Sequence, residues 1–222
     1  MCGRFTLTVD PADLQDAFPG FAVPAEMAPR YNIAPSQPVA VIANNAKNEI
    51  EFFKWGLIPS WAKDPKIGNR MINARAESLA EKPSFRTAYK KRRCLILADG
   101  FYEWRKEPGR KTKTPMYIRR KDGAPFAFAG LWEAWRASDD KPILSCTIIT
   151  TTPNSLVEKI HDRMPVILKP EAYEGWLSPA EQKPESLSEL LKPYPASPMT
   201  TYPVSKLVNS PRVDSPECIL PA

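Results

Sequence analysis

The chain is built from short apolar runs separated by polar breaks, and most of the runs are spaced as strands rather than helices. PVAVIA (38–43) and EIEFFKW (49–55) bracket NNAKN, which predicts a β-hairpin because β-prone segments flank an Asn-rich turn. CLILADGFYEWR (94–105), PMYIRR (115–120), PFAFAGLW (125–132) and ILSCTIITTT (143–152) predict a continuing meander, with EPGRKTK, KDG and ASDDK as its turns. Helical signals are brief. Asp10 before Pro11 reads as an N-cap and first-turn pair opening a helix through Phe18. Other short helices are expected over 84–92, 154–161, 171–177 and 186–192. The tail, punctuated by Pro193, Pro195, Pro198, Pro203, Pro211 and Pro216, is expected to wrap over the body and add an edge strand. No repeat or linker interrupts the pattern. The expectation is a single α+β domain over residues 1–222, with a curved, barrel-like antiparallel sheet flanked by short helices.

Composition narrows the class. Of 222 residues, 43% are hydrophobic and 25% charged, which excludes disordered and fibrous chains. The 25 prolines, about 11% against an average near 5%, disfavour long helices. No apolar run approaches the roughly 18 residues of a membrane span, and MCGRFTLTVD lacks the basic and apolar regions of an export signal. A soluble, cytoplasmic protein is expected, associated with the nucleoid when bound to DNA. Cys2, Cys94, Cys146 and Cys218 have no zinc-site spacing, so neither a metal nor another cofactor is expected. The last three lie in apolar runs, as small buried hydrophobes do. Residues 86–121 hold thirteen Lys or Arg against three Asp or Glu, an excess of +10 in a chain of net charge +6. Such a stretch is the footprint of a polyanion binder, although basic loops are often plain solvated surface.

Four residues suggest chemistry. Cys2 follows the initiator Met, and removal of Met1 turns it into an N-terminal 1,2-aminothiol. An α-amine titrates near about 8 and a thiol near about 8.5, so both are nucleophiles close to neutrality. The pair suits an aldehyde: the amine forms an imine, and the thiol closes a five-membered thiazolidine on the same carbon. His161, the single histidine, lies in KIHDRMP, where adjacent Asp162 is not expected to orient it as a triad would. Glu103 sits between Phe101, Tyr102 and Trp104, surroundings that desolvate a carboxylate and suit it to proton transfer. Asn73 in MINARAES offers a donor and an acceptor to an amine or a sugar oxygen.

CGRF (2–5), RYNIAP (30–35), WGLIPSW (55–61), INARAES (72–78), RCLILADGFYEW (93–104) and HDRMP (161–165) together resemble the SRAP family, the SOS response-associated peptidases or abasic-site processing proteins. The resemblance runs in order through most of the chain and loosens beyond about residue 178. It implies capture of the ring-opened deoxyribose aldehyde of abasic sites in single-stranded DNA as a thiazolidine crosslink that shields the lesion. It also implies lyase activity and a peptidase activity that removes Met1. The implied catalytic set is Cys2, Asn73, Glu103 and His161. Arg4, Arg75 and Arg163 would hold phosphates, and Trp61 and Trp104 would stack on bases. The implied partner is single-stranded DNA containing abasic sites, bound by a monomer. Two other classes remain open: an N-terminal nucleophile cysteine hydrolase, like glutamine amidotransferases that begin Met-Cys-Gly, and a non-covalent single-strand binder.

Overall fold

The computed structural model describes residues 2–109, 112–137 and 141–222. Its strands are β1 (Arg4–Leu7), β2 (Arg30–Ile33), β3 (Pro38–Ala43), β4 (Ile50–Trp55), β5 (Asn73–Arg75), β6 (Arg93–Ala98), β7 (Gly100–Lys106), β8 (Lys113–Arg120), β9 (Phe126–Trp135), β10 (Ile143–Thr151), β11 (Met164–Pro165), β12 (Ile167–Leu168) and β13 (Met199–Pro203). The helices are α1 (Pro11–Ala17), α2 (Arg86–Lys91), α3 (Tyr173–Leu177) and α4 (Pro184–Ser188). The strands form two sheets. In one, β10, β4, β3, β6 and β9 follow each other edge to edge, and β9 pairs again with β10, closing a five-stranded barrel. The other is five-stranded, in the order β13, β8, β7, β1, β2.

The barrel-like α+β expectation holds, with one departure: β10 runs parallel to β4 and to β5, so the sheet is mixed. The hairpin of β3 and β4 forms in the expected register, Val41 opposite Glu51. Asp10 caps α1 by accepting the Asp13 amide at 2.9 Å, and β13 adds the tail to the edge of β8. The expected helix at 154–161 is only a 3-10 turn, Val157–Lys159. Asn154 caps that turn by accepting the amides of Leu156 and Val157. Among the described residues no helix is long and apolar enough to cross a membrane.

The run expected as one strand at 94–105 divides at Asp99 into β6 and β7, which belong to different sheets. Asp99 accepts hydrogen bonds from the Thr6 and Thr8 hydroxyls and the Thr8 and Val9 amides, which fastens β1 to this corner. Gly100 follows because a Cβ there would meet the Tyr117 hydroxyl at 2.2 Å. All six residues of β6 are buried. Both of its faces are covered, one by the barrel interior and one by α3, whose Trp176 indole donates to the Cys94 carbonyl at 2.9 Å. This explains a continuous apolar run where alternation would mark a one-sided strand.

The basic stretch is not one surface. Arg93 is fully buried and donates to the carbonyls of Tyr89, Lys90, Trp176, Ser178 and Ala180, tying α2 to the end of α3. Arg92 pairs with Glu133, Arg105 with Glu107, Arg120 with Asp122 and Lys91 with Glu181. Charge counted along the sequence therefore overstates what an anion can reach. Arg110 and Lys111 lie outside the described residues.

Candidate active site

One end of β10 gathers the candidate residues. On one side, β5 pairs in parallel with β10, Asn73 opposite Ile148 and Arg75 opposite Thr150. On the other, β11 sets Met164 against Thr151, which brings the HDRMP segment to the same place. Strand β7 contributes Glu103, and β1 pairs antiparallel with β7, Arg4 opposite Tyr102, so the residues before β1 run toward the Glu103 end. Four segments distant in sequence thus meet.

Cys2 is fully buried, and its thiol donates weakly to the Arg4 carbonyl at 3.8 Å. Burial pushes the thiol well above its ordinary range, and the nearby Glu103 carboxylate adds to that. The other three cysteines are also buried, and burial raises the Cys94 and Cys146 thiols too. What sets Cys2 apart is its surroundings. Asn73 donates its amide Nδ2 to the Cys2 carbonyl at 2.8 Å, and its buried Oδ1 makes no hydrogen bond. That oxygen is an acceptor beside the first peptide of the processed chain.

Glu103 is buried, and desolvation is the main cause that pushes its carboxyl up to about 7. A carboxyl of that strength is present in both protonation states at neutral pH. His161 Nε2 lies 3.9 Å from Glu103 Oε2, beyond a direct hydrogen bond but within reach of one intervening atom. His161 Nδ1 accepts the Arg163 amide at 3.0 Å. Desolvation lowers the His161 pKa below its ordinary value. Asp162 is close to His161 after all, its Oδ1 2.9 Å from Nδ1. The sequence argument assumed helical geometry at these positions. The chain has left the 3-10 turn, and the bend lets neighbouring side chains approach.

The arginines divide. Arg163 grips the two oxygens of Glu77 at 2.7 and 2.9 Å and also donates to the Thr150 carbonyl. Arg75 is exposed on β5. Arg4 is held inward: it donates to Asn32 Oδ1 and to the carbonyls of Val208 and Asn209. Its guanidinium ties β1 to β2 and the tail. Trp104 is half-buried and donates its indole N–H to Asn209 at 2.7 Å. Trp61, in the loop after β4, is 58% exposed, and no hydrogen bond or ring contact ties it to the site among the described residues. Glu77 was missed, although it lies inside the motif INARAES. Lys113 was counted only within a basic cluster, yet its charge bears on both Glu103 and His161. Among the described residues no group of His, Cys, Asp or Glu is arranged to hold a metal ion.

The family model described as SOS response associated peptidase (SRAP) matches residues 1–211, well past the point where the motif resemblance loosens. The abasic site processing protein YoqW of Bacillus subtilis is 52% identical, with 99% of each chain covered. The abasic site processing protein HMCES of Gallus gallus is 31% identical over 100% of this chain and 78% of its own. A crystal structure of a protein from Bacteroides thetaiotaomicron matches with a TM-score of 0.88 at 30% identity and covers all of both chains. With the motifs, the barrel and the assembled site in agreement, the chain belongs to the SRAP family.

Proposed function

We propose that this protein captures abasic sites in single-stranded DNA as a covalent thiazolidine through Cys2, acting as a monomer in the response to DNA damage. The observation that carries the reading is the meeting of Cys2, Asn73, Glu103 and His161 at one end of β10, in a chain whose relatives are named abasic site processing proteins. Removal of Met1, by the protein itself or by an aminopeptidase, comes first, because it frees the Cys2 amine. Asn73 Nδ2 holds the Cys2 carbonyl and its Oδ1 is available to the new amine. The abasic sugar is mostly a closed hemiacetal. Opening it requires a proton delivered to the ring oxygen and another taken from the anomeric hydroxyl, for which Glu103 and His161 are placed. The amine then adds to the C1′ aldehyde and water leaves as the imine forms. The Cys2 sulfur attacks the imine carbon, its proton passes to nitrogen, and the ring closes. If elimination at the imine competes with ring closure, strand cleavage is a side activity of the same intermediate.

The test is intact mass spectrometry after mixing the protein with uracil-containing single-stranded DNA treated with a glycosylase. The expected product is the Met-less protein plus the oligonucleotide minus one water. Cys2→Ala should give only an imine that borohydride must trap. A stable adduct from Cys2→Ala, or none from the parent protein, overturns the reading. The second of these results is the one expected of a hydrolase or of a non-covalent binder.

A further inference from the structure

Beside the catalytic residues lies an open groove of about 690 Å³, with His161 in its wall and the β7–β8 hairpin along its other side. Lys106 and Lys113 face each other there as a cross-strand pair at the mouth of the hairpin. Like charges directly opposite on a sheet oppose its pairing. Their neighbours in the basic stretch are neutralised by Glu133, Glu107 and Asp122, whereas these two have no ion-pair partner among the described residues. Trp104 lies two residues before Lys106, so it shares that face of β7, and the bond to Asn209 fixes its indole. The opposite wall carries Glu158 and Asp162 against Lys159, so it is weakly negative. The positive field is on the hairpin wall.

We infer that this hairpin mouth is a subsite for the phosphodiester flanking the lesion on one side, held by Lys106 and Lys113 next to the indole of Trp104. The inference rests on the abasic-DNA reading and deepens it. A phosphodiester between the two ammonium groups relieves their mutual repulsion, which an uncharged or cationic ligand cannot do. A phosphodiester is the same beside every base, so the subsite reads backbone rather than sequence. His161 lines the groove and lies 3.9 Å from Glu103, so the subsite adjoins the reacting sugar through His161.

The experiment compares the parent protein with the Lys106→Gln/Lys113→Gln double variant on two sets of oligonucleotides, one shortened from the 5′ side of the lesion and one from the 3′ side. Affinity is read by anisotropy on a stable abasic analogue, and crosslinking by gel. The variant should bind the full-length oligonucleotide about tenfold more weakly at low salt, with a salt slope smaller by roughly 0.7 for the one phosphate neutralised on a single strand. The deficit should vanish when nucleotides are removed from one side only, and Lys106→Arg/Lys113→Arg should restore binding. An equal deficit with both sets points to diffuse attraction, and no deficit points to an unused surface; either overturns the subsite. Failure of the parent protein to crosslink any of the oligonucleotides defeats the underlying reading instead, and is seen separately. The urea midpoint of the variant should not fall, because the change removes a repulsion.

Discussion

Arg93 and Glu103 stand ten residues apart on consecutive strands, both almost wholly withdrawn from water, and their surroundings treat them in opposite ways. Arg93 gives its guanidinium to five backbone carbonyls gathered from α2 and the end of α3. Glu103 lies across from Met116 on the neighbouring strand, and burial raises its pKa to about 7. The first charge is compensated and builds the fold. The second is left costly to ionise, and so able to exchange a proton near neutral pH. Burial alone does not distinguish a structural charge from a functional one; how far that charge is compensated does.

The largest effect that sharpens this contrast belongs to Glu103. Glu103→Gln keeps the shape and removes the proton, and crosslinking in single turnover should slow by about 10²- to 10⁴-fold, with binding to undamaged single strands nearly unchanged. Stability should move the other way. Because the folded pKa lies above the unfolded value of 4.5, the native state holds the extra proton between those limits. The parent protein is therefore most stable with respect to this group below about pH 4.5, and it loses stability as pH rises through 7. The full penalty is on the order of 3 kcal/mol. Urea unfolding should show Glu103→Gln more stable than the parent at pH 8 and equal to it near pH 4.5. A variant that is slower yet no more stable at pH 8 would break the claim that Glu103 is held at an energetic cost.

Arg93→Met is the converse. Five carbonyls lose the guanidinium, of which Lys90 and Ser178 keep the Gln182 amide and Asn44 as donors, while the chain keeps a similar volume, and about 3 kcal/mol of stability should go with it, as when one side of a buried charged network is removed. Crosslinking by the fraction that stays folded at low temperature should match the parent rate. If the variant unfolds outright, Arg93→Lys separates the causes: one ammonium cannot reach carbonyls from both α2 and α3, so an intermediate loss is expected.

The same two residues mark what the sequence made legible. The strands were readable because β-prone runs met turn residues at regular intervals, and the tail's edge strand followed from its prolines. The break at Asp99 was not, although Asp99-Gly100 is itself a turn pair, because apolar strand-like runs flank it on both sides and the bonds from Thr6, Thr8 and Val9 that fasten the corner are tertiary. Glu103 stood out by its aromatic neighbours. Arg93 was counted with KKRR as available charge, because a run of basic residues does not show which of them faces inward. The bonds of Arg4 were hidden for a similar reason: its partners, Asn32, Val208 and Asn209, are about 28 to 205 residues away and share no pattern with it. The approach of Asp162 to His161 depended on a bend that the helical reading of 154–161 hid.

Arg163 falls between the two extremes and gives the smallest expected effect. Its side chain is 14% exposed, and its fork is filled by Glu77, whose own side chain is 53% exposed. The pair lowers the Glu77 pKa through that hydrogen bond, so the carboxylate stays ionised at neutral pH. A carboxylate so open to water holds Arg163 only weakly, by roughly 0–1 kcal/mol, and a phosphate with the same bidentate geometry can take its place. Glu77→Gln removes the competing anion, so undamaged single-stranded DNA should bind more tightly by up to about fivefold at low salt. The gain should shrink as salt rises, because screening weakens the new contact. Weaker binding by Glu77→Gln would show that Glu77 orients Arg163 for the phosphate, which would place Arg163 beside Arg93, as a charge whose partner belongs to the fold.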